Sequence, residues 1–365
     1  MISRKAFITG ASACGAALAF DGCVGGRRVA EWRPEKPWKG FNLLGMFLKD
    51  GNRDSPADER ICGCFPEDDF LIIRDWGFNF ARLPLDYRCF VTDGSWEHID
   101  EAQVAKLDAA VEYGRRHGIH VQICLHRIPG YCINPPKEPK DLFSDPEAQR
   151  VACDWWRFFA KRYRGVSNER LSFNLFNEPP FWVEQSLYPI VARKLIEAIR
   201  GVDSNRYIVA DGYHCGRKPV PELDDIPNLA YGIHVYDPRE ISHYKAPWIN
   251  DLQFPEPCVW PPADVKDGVA YLREKYYRIW EPALAKGRTV TCGEFGVWRE
   301  TPHAAALGWV EDNLKLLNEY GMGYAFWNLR GGFGILNSGR TDVALENFHG
   351  LRLDRKLLDL LLEYL

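Results

Sequence analysis

The sequence predicts an α/β chain folded as one (β/α)8 TIM barrel, and three observations carry that expectation. Short apolar runs recur eight times between Gly40 and Leu329. Amphipathic stretches of helical spacing separate most of them, the alternation expected of parallel strands joined by crossover helices. Several of the runs end in a polar or charged side chain, and a parallel barrel carries its chemistry at those C-terminal strand ends.

In chain order, the expected strands are Gly40 to Met46, Phe78 to Leu85, Ile119 to His126, Leu171 to Glu178, Tyr207 to Gly212, Leu229 to Tyr236, Thr289 to Gly296 and Gly323 to Leu329. Each is a short, largely apolar run of the length of a barrel strand. Helices are expected at Pro66 to Trp76, Glu101 to His117, Pro146 to Tyr163, Gln185 to Val202, Asp264 to Lys286 and Pro302 to Tyr320. The segment "VAKLDAAVEYGRRHG" shows why: Val104, Leu107, Ala110, Val111 and Gly114 share one face, and Gly118 supplies a stop.

Composition narrows the function classes. The 365 residues are 46% hydrophobic and 26% charged with a net charge of −4, which excludes a disordered chain and gives no polyanion-binding signal. No basic stretch is interleaved with aromatics, so no nucleic-acid partner is expected. No uninterrupted apolar run reaches about 18 residues, so no membrane span is expected. The 13 tryptophans serve either as large core residues or as flat platforms for sugar rings.

Residues 1–30 read as an export leader. Arg4 and Lys5 form a basic start, Ala6 to Phe20 an apolar stretch, and Ala17 to Ala19 an Ala-x-Ala site. The order Ser3-Arg4-Lys5-x-Phe7 resembles a twin-arginine signal, and Gly22-Cys23 offers a lipid-anchoring alternative that Asp21 fits poorly. Residues 31–365 are then expected to form the single folded domain of an exported bacterial protein, periplasmic or extracellular. Loss of the leader takes Cys14 and Cys23 and leaves nine cysteines, an odd number. Cys62 and Cys64 are too close for easy bridging, and no zinc-site spacing follows, so neither a disulfide framework nor a structural metal is expected.

The strand ends carry the chemistry. Arg82 closes strand 2, His126 strand 3, Asn177 and Glu178 strand 4, His234 and Tyr236 strand 6, Glu294 strand 7, and Trp327 with Asn328 strand 8. Each alone has an ordinary explanation, as a core histidine or an ion-pair arginine; six strand ends aimed at one rim do not. Glu178 and Glu294, 116 residues apart, face each other across such a rim. Paired carboxylates suit glycosidic hydrolysis, in which one protonates the leaving oxygen while the other attacks or activates water. A separation of about 5 to 5.5 Å gives retention and about 6.5 to 9.5 Å inversion. Two other readings compete: a carbohydrate-binding barrel without catalysis, and a metal-dependent hydrolase using His126 and His234. The latter calls for a His-x-His pair on an early strand, where this chain has Phe41-Asn42-Leu43. No cofactor is expected.

"LFNEP" with "CGEFG" resembles the retaining barrel glycosidases of clan A, and more narrowly glycoside hydrolase family 5, the cellulase family. The likeness runs from about Gly40 to beyond Trp327, through "ARLPL", "CLHRIPG", "FNEP", "HVYDP", "GEFG" and "AFWNL". "DPREISHYKAPW" resembles a loop of bacterial endoglucanases, with departures at Ile241 and Tyr244. The resemblance implies Glu178 as acid/base and Glu294 as nucleophile. It further implies that Arg82 and Tyr236 support Glu294, His234 lies near Glu178, and Asn177 binds the sugar 2-hydroxyl. His126 would orient Arg82 or a sugar hydroxyl, with Trp327 the floor beneath the cleaved sugar. Further substrate-binding candidates are Asn42, Trp182, Trp298, Trp248 and Trp260. The implied activity is that of an endo-β-1,4-glucanase acting as a monomer on soluble chains, with β-mannanase or exo-acting β-glucosidase as alternatives.

Overall fold

The computed structural model describes residues 32–49, 63–92 and 95–365; the expected leader and Cys62 lie outside the described residues. Eight parallel strands close into a barrel in sequence order: β1 (Lys39–Asn42), β2 (Phe80–Asp86), β3 (His120–Arg127), β4 (Leu171–Asn174), β5 (Ile208–Asp211), β6 (Leu229–Val235), β7 (Val290–Phe295) and β8 (Gly323–Phe326), with β8 pairing back onto β1. Nearly every strand residue is buried, because helices cover the outside and side chains fill the inside.

The helices start and stop where local chemistry dictates. In α2 (Glu101–His117) the Asp100 carboxylate accepts from the Ala102 N–H, and Gly118 ends the helix at φ 71. In α3 (Pro146–Arg162) Asp145 caps the free amides of Glu147 and Ala148, and proline occupies the first position, where no N–H is missed. Helices α1 (Glu67–Asp75) and α4 (Leu187–Arg200) fall inside their expected ranges. At the N-terminal barrel mouth, Trp38 stacks on His120 with ring centroids 3.5 Å apart and packs beside Phe80 and Tyr207, which plugs that end.

Three features depart from expectation. The stretch from Asp264 to Lys286 is not one helix but Gly268–Leu272, a π turn at Arg273–Tyr277, a 3-10 turn at Arg278–Trp280 and Glu281–Ala285. Pro282, lacking an N–H, fits only at the start of a new turn. A hairpin (Glu346–Phe348, Leu351–Leu353) and a final helix (Arg355–Glu363) follow β8. Strands β1, β4 and β8 also stop three to four residues short of the expected ends, so the polar residues beyond them belong to the rim loops.

Candidate active site

The rim is built by where the ladder breaks. The β6–β7 register shifts between Ile233 and His234, and this irregularity brings His234 opposite Glu294. β4 ends at Asn174, and four residues later Glu178 stands at φ 51, in the left-handed region that a glutamate rarely adopts. Its amide donates to Asp211 Oδ2 at 3.0 Å, and its carbonyl accepts from the Tyr131 hydroxyl.

Beneath it lies Arg82, fully buried, which makes six hydrogen bonds. Nη1 donates to Glu294 Oε1 at 2.8 Å and Asn42 Oδ1 at 2.9 Å; Nε donates to Asn174 Oδ1; Nη2 donates to Asn174 Oδ1, Asn177 Oδ1 and Cys124 Sγ. The other oxygen of Glu294 accepts from the Tyr236 hydroxyl at 3.0 Å. Burial pushes the Glu294 carboxyl above its ordinary value, Glu178 adds to the rise, and His234, Arg82 and the Tyr236 hydroxyl pull against it. His234 Nδ1 sits 2.9 Å from Glu178 Oε1 and 3.7 Å from Glu294 Oε2. Burial favours its neutral ring, but Glu294, Asp211 and Glu178 together raise its pKa.

One oxygen of Glu178, one of Glu294 and a ring nitrogen of His234 lie within 4.8 Å of one another. That spacing would admit a metal ion. However, Arg82 and Tyr236 already occupy the Glu294 oxygens, and the buried guanidinium adds a positive charge where a cation would have to sit. Above the trio a cavity of about 300 Å³ is lined by Phe47, His126, Tyr236, Trp248, Trp327 and Phe333, among others. Two carboxylates, two polar clamps and aromatic walls make a place where an apolar ring face can be held against a pair of closely spaced carboxyl groups.

The profile described as Cellulase (glycosyl hydrolase family 5) matches residues 66–332. The chain belongs to glycosyl hydrolase family 5. This family 5 chain is an O-glycosyl hydrolase, and its relatives are of that kind. It is 28% identical over 307 residues to Endoglucanase C of Acetivibrio thermocellus, covering 77% of this chain and 88% of the relative. It is 27% identical over 288 residues to Cellodextrinase A of Ruminococcus flavefaciens, covering 78% and 83%. A solved glycoside hydrolase structure superposes with a TM-score of 0.81 at 34% identity, covering 90% of this chain and 99% of the other.

The family 5 rim gathers Arg82, Asn177, Glu178, His234, Tyr236 and Glu294 into one network, with His126, Trp327 and Trp248 on the cavity wall. Asn42 does not reach the cavity. It is buried, its oxygen accepts from Arg82, and its amide donates to the Gly293 and Ala325 carbonyls, so its polar atoms serve the barrel interior. His126 does not orient Arg82, whose partners are the five residues above; its ring stands edge-on to Phe47 at 4.6 Å and tilted to Trp327 at 6.1 Å. Trp298 is buried behind the wall, 4.7 Å from Trp248 and 5.3 Å from Phe333. Trp260 anchors its loop instead of lining the cavity: Nε1 donates to Asp312, and the ring packs near Gly308 and Gly268. Trp182, 59% exposed, borders a separate depression beside Tyr131 and Phe143, which adjoins the main cavity through Ile133 and Asn134.

Sequence reasoning missed Asp211, the buried carboxylate at the end of β5, although "YIVADG" carries the same signal of a polar residue closing an apolar run. It also missed Phe47, Phe333, Arg217 and Arg239, which reach the cavity from loops whose course no periodicity encodes. Among the described residues Cys124, Cys132, Cys153, Cys215, Cys258 and Cys292 are free thiols, and no helix is long and apolar enough to cross a membrane.

Proposed function

We propose that this chain is a retaining endo-β-1,4-glucanase, acting as an exported monomer on soluble β-glucan chains. The observation that carries the reading is the close approach of Glu178 and Glu294, within 4.8 Å at their nearest oxygens and served by different partners. That approach suits direct attack by a carboxylate and leaves no room for the intervening water of an inverting pair.

Glu294, held by Arg82 and Tyr236, attacks the anomeric carbon as a carboxylate. Glu178, contacted by His234, gives its proton to the leaving oxygen. The sugar–oxygen bond breaks as the sugar–Glu294 ester forms. Glu178, now ionised, takes a proton from water, which displaces Glu294 and regenerates both groups. Asn177 has its oxygen on Arg82 and its buried Nδ2 without a partner, which supports donation to the sugar 2-hydroxyl. Trp327 and Trp248 offer ring faces to the sugars, and His126 a ring nitrogen to a hydroxyl; Trp182 serves a more distant sugar. The names Endoglucanase C and Cellodextrinase A support soluble β-glucans over mannan.

The test is a reducing-sugar panel on carboxymethylcellulose, lichenan, mannan and xylan with wild type, Glu178→Gln and Glu294→Gln. Cleavage of the first two substrates is expected, with at least about 100-fold loss in each variant and an unchanged fold. Near-normal hydrolysis by Glu294→Gln would end the assignment, and release only from aryl glycosides would move it to exo action.

A further inference from the structure

Asp211 is 1% exposed, and its carboxylate is the junction between the two halves of the site. Oδ1 accepts from Asn174 Nδ2 at 2.9 Å. Oδ2 accepts from the Glu178 amide at 3.0 Å and lies 3.3 Å from His234 Nε2, an ion-pair contact. The Tyr188 hydroxyl donates to its backbone carbonyl and fixes the strand end.

All three groups facing the carboxylate present nitrogen. Asn174 cannot turn its amide round, because its Oδ1 accepts from Arg82 Nε and Nη2, so its Nδ2 must donate towards Asp211. The Glu178 amide can only donate. His234 Nδ1 faces Glu178 Oε1, while its Nε2 makes no hydrogen bond and meets Asp211 Oδ2 only as an ion-pair contact at 3.3 Å, where the anion favours positive charge on the ring. A residue here needs two acceptor oxygens and a negative charge, which asparagine cannot supply in either orientation. The same carboxylate therefore acts on Glu178 in two ways: by a hydrogen bond from its amide, holding the left-handed backbone, and by charge on the imidazole that contacts its side chain.

We propose that Asp211 is a positioning residue for the proton-transfer step, fixing the backbone of Glu178 and holding the His234 imidazole beside it by charge so that the Glu178 carboxyl meets the leaving oxygen. This rests on the reading of Glu178 as proton donor. It separates Asp211 from residues that merely hold the barrel together, because its effect scales with how much the leaving group needs a proton.

The experiment compares Asp211→Asn with wild type on a cello-oligosaccharide, whose leaving sugar must be protonated, and on a 2,4-dinitrophenyl cellobioside, whose phenolate leaves unaided. The readout is kcat/KM, which reports the first covalent step, with thermal unfolding as the check on folding. A loss of roughly 10- to 100-fold on the oligosaccharide and under about threefold on the aryl glycoside is expected, since general acid catalysis supplies about 10² to 10⁴. Equal loss on both substrates, or no loss on either, overturns the proposal. Glu178→Gln run alongside separates the two claims: if it too shows no leaving-group dependence, the proton-donor reading fails; if it shows the dependence and Asp211→Asn does not, only the role of Asp211 fails. Should Asp211→Asn not fold, the exchange Asp211→Asn with Asn174→Asp restores the donor–acceptor match between them. That pair is expected to fold and keep the selective loss, because His234 still lacks its anion; an equal loss on both substrates overturns the proposal there as well.

Discussion

Arg82→Lys is the sharpest test of how Glu294, the proposed nucleophile, is held. Lysine keeps the positive charge but replaces three nitrogens by one. The acceptors lie on two sides of the guanidinium: Glu294 and Asn42 on Nη1, Asn174 and Asn177 on Nε and Nη2. One ammonium cannot span them. Losing the 2.8 Å bond to Glu294 forfeits a charge-assisted contact of about 1.5–3 kcal/mol. If that contact is made in full only at the transition state, kcat falls roughly 10- to 150-fold. Arg82 does not line the cavity, so KM should move little. Unanswered acceptors in a fully buried network should also cost about 3–5 kcal/mol of stability, a fall in Tm of about 4–7 °C. Steady-state kinetics on a soluble glucan and a calorimetric scan measure both. A kcat within about threefold of wild type would refute the claim that the guanidinium fork orients the nucleophile.

Other expectations follow from the same geometry. Since burial raises the Glu294 carboxyl and the proposed reaction uses its ionised form, kcat/KM should fall on the acid side at a pH above the ordinary glutamate value of about 4.3; an acid limb at or below that value in a pH–rate profile would contradict it. The stability sign is opposite to that of a salt-bridged surface carboxylate: with the folded pKa above the unfolded one, Glu294 contributes stability as pH falls through the folded value and loses it as pH rises. Trp248→Ala should raise KM about 3- to 10-fold with kcat held, whereas Trp260→Ala should lower Tm and leave KM on the same substrate within about twofold. Overnight dialysis against EDTA should leave the rate unchanged; loss restored by added Zn²⁺ or Mn²⁺ would bring back the metal-dependent reading of the Glu178–His234–Glu294 trio.

Much of the barrel was legible because its strands are buried on both faces and so read as unbroken apolar runs, and because each rim residue interrupts such a run. Arg82, Glu178, His234 and Glu294 were visible for that reason. Asn42 and Trp260 were misread because residue type alone does not say which way a side chain points: Asn42 faces the barrel interior, and Trp260 faces the helix His303–Glu319. Asp211 was harder to see because Asp followed by Gly212 reads as an ordinary turn closing the strand. The wall residues Phe47 and Phe333 sit on loops whose paths depend on tertiary packing, to which periodicity is blind. The segmented helix after β6 was hidden by an apolar spacing that suits α, π and 3-10 turns alike.

The left-handed backbone of Glu178 sets two selection pressures against each other. Holding an L-residue, with its Cβ, at φ 51 costs about 1–2 kcal/mol, and glycine would relieve it. A mutant library of this chain ranked on heat resistance alone would therefore favour glycine at the position whose carboxylate faces Glu294. Directed evolution for thermostability must carry an activity screen at every round, or the barrel it delivers will be sturdier and inert.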